Sequence, residues 1–155
     1  MKTFGAVSAE MNVDVPASSA WELYGTLDLT KITVPKYLAS VEVVQGDGGE
    51  GTITKLTPLT GSAYCEKFTK VDNENLVKET EIVEGGFLDL GFNLYRVRFE
   101  NVKTGENSCI TRTTIEYDVK EESAANISDV NIVPSINIMK DVAAYLATND
   151  GKSID

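Results

Sequence analysis

Two oppositely charged side chains are predicted to face the interior of this protein. Successive residues of a strand point to opposite faces, so Tyr64 and Glu66 share one face of the segment 64–71, while Lys78 lies on the face opposite a pair of glutamates in the next segment. Buried charges are costly unless they pair or do chemistry, and burial shifts their pKa values toward neutrality. Glu66 and Lys78 are therefore candidates for general acid–base catalysis, the alternative being an ion pair at the rim with Lys78 reaching water.

The composition excludes several kinds of site. The 155 residues contain no histidine, which removes Ser-His-Asp and Cys-His triads and histidine-bearing zinc sites, so acid–base chemistry must use Lys, Tyr, Asp or Glu. The formal net charge of −10 disfavours nucleic-acid and anionic-membrane partners and favours cationic small molecules. No motif predicts a cofactor or a metal. The glycine-rich segment 46–51 lacks the ending of a phosphate-binding loop and is interpreted as a hairpin turn.

Hydrophobic periodicity predicts the elements that hold these side chains. Alternating segments predict seven strands, at 4–15, 41–44, 52–56, 64–71, 76–83, 92–102 and 109–119. Two short helices are expected at 17–24 and 29–36, the second limited by Pro35. Apolar residues at helical spacing predict a long amphipathic helix over 128–148, which either starts near Pro134 or is kinked there.

The order of these elements predicts an α+β fold in a single domain, residues 1–155. We expect a helix-grip arrangement, in which a curved seven-stranded antiparallel sheet wraps around the long helix and the two short helices close one end. Such an interior can be too wide for side chains to fill, so an internal ligand cavity is the default functional hypothesis. Alternation and the helical stripe direct further side chains inward, namely Phe68, Thr80, Tyr95, Val97, Phe99, Ile115, Tyr117 and Met139. Taken alone, Tyr64 and Tyr95 are more typical of core residues than of catalysts.

The sequence contains less information about cellular location and oligomeric state. The chain opens without a charged-then-apolar leader, and no apolar run approaches the length of about 20 residues that a membrane span needs. We therefore expect a soluble, cytoplasmic protein. We expect it to be a monomer or a weak dimer.

Several motifs resemble one plant protein family over nearly the whole chain. They are Gly46-Asp47-Gly48-Gly49-Glu50-Gly51-Thr52, Val71-Asp72-Asn73-Glu74, Glu84-Gly85-Gly86-Phe87-Leu88-Asp89-Leu90-Gly91 and the closing helix. Together they resemble the class-ten pathogenesis-related proteins of the birch pollen allergen superfamily, which implies a single START or birch-pollen-allergen-like domain. Tyr64-Cys65-Glu66-Lys67-Phe68 and Ser108-Cys109-Ile110 resemble more narrowly the norcoclaurine synthase branch, which includes norbelladine synthase-like enzymes.

The resemblance implies an activity and the residues that carry it. Members of the branch join an arylethylamine of the dopamine or tyramine type to an aldehyde without a cofactor, as lyases of plant alkaloid biosynthesis. Norcoclaurine synthases then cyclise the imine in a Pictet–Spengler reaction. The catalytic tyrosine, glutamate and lysine of the branch fall on Tyr64, Glu66 and Lys78. In these roles Lys78 is the general acid, Glu66 is the base that takes the aromatic proton, and Tyr64 orients the aromatic group.

Two pocket positions depart from the pattern of the branch. Its pocket tyrosine before the Leu-Asp-Leu-Gly run is Phe87 here, and its catalytic aspartate is Val97, whereas Tyr95 matches a second aromatic position. Three activities remain open. They are Pictet–Spengler condensation of altered substrates, condensation that stops at the imine, and binding of small amphipathic plant ligands such as cytokinins, flavonoids or alkaloids without chemistry, as in defence-related members of the family.

Overall fold

Seven antiparallel strands form one continuous sheet in the computed structural model, which describes residues 3–149. The strands are β1 (Phe4–Val13), β2 (Leu38–Gln45), β3 (Ile53–Pro58), β4 (Tyr64–Asp72), β5 (Val77–Glu84), β6 (Phe92–Gly105) and β7 (Ser108–Val119). The helices are α1 (Ala17–Tyr24), α2 (Thr30–Thr33) and α3 (Val133–Asn149). The strands follow the order β1-β7-β6-β5-β4-β3-β2 across the sheet. Every pair of adjacent strands is therefore consecutive in sequence except β1 and β7. The predicted α+β helix-grip fold is confirmed.

The two faces of the sheet differ as alternation predicts. Thr113 and Ile115 of β7 are buried, while the residues between and beside them point to the outer surface. On that surface Arg98 pairs with Glu79 and Glu116 on the two neighbouring strands, with N···O distances of 2.7 and 2.6 Å. The charged side chains of the outer face thus satisfy one another, and the inner face lines the interior.

Proline sets one end of each of two helices. α2 ends at Thr33 and not at the predicted Lys36, because the next residue precedes a proline and takes an extended conformation. α3 begins at Val133 and has Pro134 in its first turn, where the missing N–H of proline has no helical partner to lose. The predicted start near Pro134 is therefore confirmed. The helix was predicted to begin as early as residue 128. In the structure, residues 121–129 instead form a separate 3-10 helix that ends before α3 begins.

The apolar core and the open interior lie against different halves of α3. Trp21 and Tyr24 of α1 pack in one buried cluster with Val142 and Leu146 from the second half of α3. The first half of α3 turns Ile138 toward the interior of the sheet. One end of the molecule is consequently filled by side chains, and the other end retains space for a ligand.

Candidate active site

A cavity of about 1080 Å³ lies between the inner face of the sheet and the first half of α3. Its walls include the three residues to which the sequence assigns catalysis, Tyr64, Glu66 and Lys78. Other predicted pocket residues also line it, namely Phe68, Thr80, Phe87, Tyr95, Val97, Phe99 and Ile115. The structure therefore brings side chains from strands β4 to β7 together around one space.

Two predicted pocket residues lie outside this cavity. Met139 is buried, but the preceding residue Ile138 is the one that lines the space, and consecutive helical residues point about 100° apart. Tyr117 leans across the sheet over Gly5 of β1, where an added Cβ would lie 2.3 Å from the tyrosine hydroxyl. Its ring meets Phe92 edge-on, with centroids 5.9 Å apart. The assignment of Tyr117 and Met139 to the pocket is therefore wrong.

Lys78 points inward from β5 and is 3% exposed. Its Nζ donates a hydrogen bond to the backbone carbonyl of Thr26, at 3.5 Å, and lies 3.9 Å from the centroid of the Phe68 ring. Burial lowers the pKa of the Lys78 ammonium to about 8, although the nearby Glu66 carboxylate acts in the opposite direction. At neutral pH the side chain is charged but holds its proton far less tightly than an exposed lysine.

Glu66 points into the same cavity from β4. Burial raises the pKa of its carboxyl to about 7, and the attraction of the Lys78 ammonium lowers the pKa in part. Within residues 3–149, neither Glu66 nor Lys78 forms a direct ion pair. The ion pairs of that part of the chain join other side chains. Both charged side chains therefore line the cavity without a direct ion pair between them.

Two tyrosines accompany the charged pair. Burial and the Glu66 carboxylate raise the pKa of the Tyr64 hydroxyl well above its ordinary value, and they raise the pKa of Tyr95 to about 12. Both therefore remain neutral phenols at physiological pH. Each can donate a hydrogen bond to a substrate oxygen and present an aromatic face to a substrate ring.

A glycine turn before the 3-10 segment Gly86–Leu90 holds this part of the wall in place. Gly85 and Gly86 have φ values of 74° and 54°, a region that favours glycine. A Cβ on Gly86 would lie 3.3 Å from the ring of Tyr64, so the backbone of the turn packs directly on that side chain. The turn thereby fixes Tyr64 and carries Phe87 into the cavity.

A side-chain cluster that no sequence pattern predicted joins the cavity wall to α3. Lys36 and Tyr37, which line the cavity, both donate hydrogen bonds to the Asp141 carboxylate of α3, at 2.8 and 2.5 Å. These bonds lower the pKa of Asp141. The contact ties the segment before β2 to the helix across about a hundred residues of sequence, and no local pattern announces such a contact.

Within residues 3–149 no group of three or more His, Cys, Asp or Glu side chains is placed to hold a metal ion. No helix in that range is long and apolar enough to cross a membrane. The charged side chains of the cavity can transfer protons. Near pH 7.5, Glu66 is mostly a carboxylate and Lys78 mostly an ammonium, so one can accept a proton while the other donates one.

A curved antiparallel sheet that encloses a cavity against a long C-terminal helix defines a small-molecule-binding protein of the helix-grip class. Residues 4–149 match the model of the pathogenesis-related protein Bet v 1 family. The chain belongs to that family, as its motifs predict.

Relatives within the family include alkaloid-forming enzymes. Norbelladine synthase of Narcissus pseudonarcissus is 40% identical over 149 residues, which cover 92% of this chain and 91% of the relative. S-norcoclaurine synthase of Thalictrum flavum subsp. glaucum is 34% identical over 143 residues, covering 88% of this chain and 68% of the relative. The X-ray structure of norcoclaurine synthase from Thalictrum flavum in complex with dopamine and hydroxybenzaldehyde superposes with a TM-score of 0.80, at 31% identity, covering 94% of this chain and 87% of that one.

Proposed function

We propose that this protein condenses an arylethylamine with an aldehyde inside its cavity, without a cofactor. The observation that carries the proposal is the placement of Glu66 and Lys78, which face one cavity unpaired and have pKa values of about 7 and about 8. The similarity to norbelladine synthase over 92% of the chain supports it. The formal charge of −10 favours the approach of a cationic amine.

Lys78 serves as the general acid of the condensation. The free amine attacks the aldehyde carbon to form a carbinolamine, whose hydroxyl must leave as water. The ammonium of Lys78 donates the proton to that hydroxyl, and the nitrogen lone pair forms the C=N bond of the imine. Because the pKa of Lys78 is about 8, the proton is available near neutrality and is recovered from the amine nitrogen or from water in each cycle.

Glu66 serves as the general base, and Tyr64 orients the aromatic ring. In a cyclising reaction the ring carbon attacks the iminium carbon, and Glu66 takes the proton from that ring carbon as aromaticity returns. In a reaction that stops at the imine, Glu66 takes the proton lost by the amine nitrogen when the carbinolamine forms. Holding both reactants in one cavity supplies much of the rate, because effective molarities of oriented reactants reach about 10⁵ M or more.

Val97 favours the shorter reaction. It lines the cavity from β6, beside Thr80 of β5 and Ile115 of β7, and offers no group that can move a proton. An imine product needs fewer proton transfers than a cyclised product does. Imine formation without cyclisation is thus the form of the reaction that this cavity supports best.

The alternative function is ligand binding without chemistry. Val97 and Phe87 make part of the wall apolar, and a cavity of about 1080 Å³ has room for a flavonoid or a cytokinin. A defence role, a cytoplasmic location, the lyase class and a monomeric or weakly dimeric state stay predictions from the sequence.

Two parallel incubations test the proposed function. In the first, dopamine and 4-hydroxyphenylacetaldehyde are analysed by chiral chromatography with mass detection against a protein-free blank, because the uncatalysed reaction gives racemate. In the second, tyramine or dopamine is incubated with 4-hydroxybenzaldehyde, and the imine is trapped by cyanoborohydride as a stable secondary amine. We expect trapped amine to form faster than in the blank.

The outcomes of the two incubations distinguish the three candidate activities. One-handed cyclised product above the blank identifies a Pictet–Spengler enzyme in spite of Val97. Trapped amine above the blank with racemate at the blank rate identifies an imine-forming enzyme. Blank rates in both incubations, together with micromolar binding of a flavonoid or cytokinin by calorimetry, overturn the proposal in favour of a carrier.

A further inference from the structure

The charged end of Lys78 rests on an aromatic ring and not on a carboxylate. Its Nζ lies 3.9 Å from the centroid of the Phe68 ring, within the distance at which a cation interacts with the electron-rich face of an aromatic ring. Phe68 is 4% exposed, so the contact is shielded from bulk water. The remaining contact of the ammonium is the backbone carbonyl of Thr26 at 3.5 Å.

The sheet register creates this contact. Phe68 of β4 pairs with Thr80 of β5, so Lys78, two residues before Thr80 on the same face, is its diagonal neighbour. Diagonal neighbours on a sheet are within reach of long and aromatic side chains. Glu66 lies two residues before Phe68 on that face, which places the acid, the base and the ring along one line of the cavity wall.

The carbonyl of Thr26 is itself held in place. The Thr26 hydroxyl donates to the carbonyl of Glu22 at 2.6 Å and accepts the backbone N–H of Asp28 at 3.0 Å. The preceding Gly25 packs against Trp21, where an added Cβ would lie 2.3 Å from the indole. The segment after α1 is therefore fixed, and the Thr26 carbonyl is held within reach of the Lys78 ammonium.

We infer that Phe68 is a positioning residue, whose ring face keeps the Lys78 ammonium protonated and directed into the cavity, with the Thr26 carbonyl as the second contact. The inference rests on the proposed function, since it names the residue through which the general acid is held. Without the ring, the buried ammonium keeps the 3.5 Å hydrogen bond to the Thr26 carbonyl and the attraction of the Glu66 carboxylate, but it loses the contact with the ring face. The lysine then loses its proton at lower pH, and the general acid is absent at the pH where Glu66 is a base.

Other ionisable groups around Lys78 do not replace the ring. Glu66 and Tyr64 face it from β4 and Tyr95 from β6, and Glu66 alone of these carries a charge near neutrality. The cavity-lining residues of α3 are uncharged. The remaining charged residues that line the cavity are exposed to solvent, namely Lys36, Asp89 and Asp129. Each of these remains in a Phe68 variant, so a change in titration reports the lost ring.

The test compares Phe68→Leu, which fills much of the space without a ring, with Phe68→Tyr, which keeps the ring. The pKa of Lys78 is measured by NMR of protein labelled with ¹³C at the lysine side chains, and Lys78→Met identifies the signal. We expect the Phe68→Leu substitution to lower the pKa of Lys78 by about one unit, whereas Phe68→Tyr leaves it near 8. Phe4→Leu, which removes an exposed ring on β1 away from the cavity, is the control and does not lower the pKa.

Turnover supplies a second measurement. A pKa lowered by about one unit reduces the protonated fraction of Lys78 at pH 8 about fivefold and leaves it almost unchanged at pH 6. We therefore expect kcat of Phe68→Leu to be about fivefold below that of the parent protein at pH 8 and nearly equal to it at pH 6, with KM changed less and with recovery in Phe68→Tyr. If Phe68→Leu fails to fold, as judged by near-ultraviolet circular dichroism, Phe68→Met takes its place.

The outcomes distinguish the two proposals. A pKa that stays near 8 or rises in Phe68→Leu, because water replaces the ring, overturns the positioning role whatever the turnover. A lowered pKa in a protein that forms no product supports the contact and overturns the proposed function. An equal loss of kcat at pH 6 and pH 8 with an unchanged Lys78 pKa shows a purely structural role for Phe68 and also overturns the inference.

Discussion

The ring of Phe87 lies face to face with the ring of Tyr95, with centroids 4.1 Å apart and planes inclined by 6°. Phe92 meets both rings of this stack edge-on, with centroids 5.2 Å from Phe87 and 6.3 Å from Tyr95. Stacked pairs of this kind are worth about 1 kcal/mol beyond the area they bury. The stack ends the cavity on one side, so Phe87 sets the space that remains for the reactants.

Phe87→Ala tests this limit. The substitution removes the outer ring of the stack, so we expect the ratio of kcat/KM for bulky aldehydes to that for 4-hydroxybenzaldehyde to rise by about tenfold, a typical effect of reshaping an apolar pocket. Phe4→Ala on β1, where the phenylalanine is 48% exposed, is the matched control. An unchanged ratio, measured with a series of para-substituted benzaldehydes, would mean that Phe87 does not limit the site.

Removal of either charged group should abolish turnover. Lys78→Met and Glu66→Gln delete the acid and the base with little change of volume, and we expect each to lower kcat by at least about 10²-fold, the usual contribution of general acid–base catalysis. Lys67→Met, on the exposed face of β4, and Glu74→Gln, in an exposed turn, are the matched controls and should keep the parent rate. Parent-level trapping of the imine by either cavity variant contradicts the assigned roles.

Strand alternation predicted most of the cavity wall that strands β4 to β7 supply, because it depends only on the period of the chain. Glu66 and Lys78 are 12 positions apart in sequence, yet each could be assigned to the inner face from its immediate neighbours. The same reasoning misplaced Tyr117, since alternation fixes the face of a sheet but not the direction in which a long side chain leans. Met139 lies outside the cavity for a related reason. The apolar stripe of α3 is wide, and only one edge of that stripe faces the cavity.

Contacts between distant backbone and side-chain groups could not be predicted. The carbonyl of Thr26 reaches Lys78 across 52 positions, and any residue type could have supplied that carbonyl. The bond from Tyr37 to Asp141 spans 104 positions and depends on the end of α2, which a proline moved from its predicted place. Periodicity describes each element by itself, whereas these contacts depend on how the elements meet.

The pH dependence of kcat/KM should be bell-shaped. The Glu66 carboxyl must lose its proton to act as a base, so activity rises as the pH passes its pKa of about 7. The Lys78 ammonium must keep its proton to act as an acid, so activity falls as the pH passes its pKa of about 8. We expect a narrow maximum between these values in rates corrected at each pH for the blank and for the free-amine fraction of the substrate. A rate that keeps rising to pH 9.5 after that correction excludes Lys78 as the acid.

Val97→Asp tests why the site favours the imine. The carboxylate would enter the cavity from β6 and supply a second group able to move a proton. With dopamine and 4-hydroxyphenylacetaldehyde we expect one-handed cyclised product to increase by at least about tenfold over the parent protein. Val97→Asn has the same shape without the acid, and an equal increase in that variant would show that polarity and not proton transfer is limiting.

The two catalytic charges should destabilise the fold that carries them. The folded state raises the pKa of Glu66 from 4.5 to about 7, so it binds the proton more tightly than the unfolded chain, and its stability falls as the pH rises from 4.5 to 7. The folded state lowers the pKa of Lys78 from 10.5 to about 8, so the buried ammonium costs stability below pH 8 and the cost disappears as the pH rises to 10.5.

Inactive variants should therefore be more stable than the parent protein at pH 7.5. We expect Glu66→Gln and Lys78→Met each to raise the free energy of unfolding by about 1 to 3 kcal/mol, and Tm by several degrees, in thermal and urea unfolding. The gain from Glu66→Gln should vanish at pH 4.5, where the parent carboxyl is protonated in the folded state, and the gain from Lys78→Met should shrink toward pH 10.5. Lys67→Met serves as the control, because an exposed lysine gives no such pH-dependent gain. Loss of stability in both cavity variants at pH 7.5 would mean that Glu66 and Lys78 stabilise the fold. It would contradict the expectation that these two charges are kept for catalysis at a cost in stability.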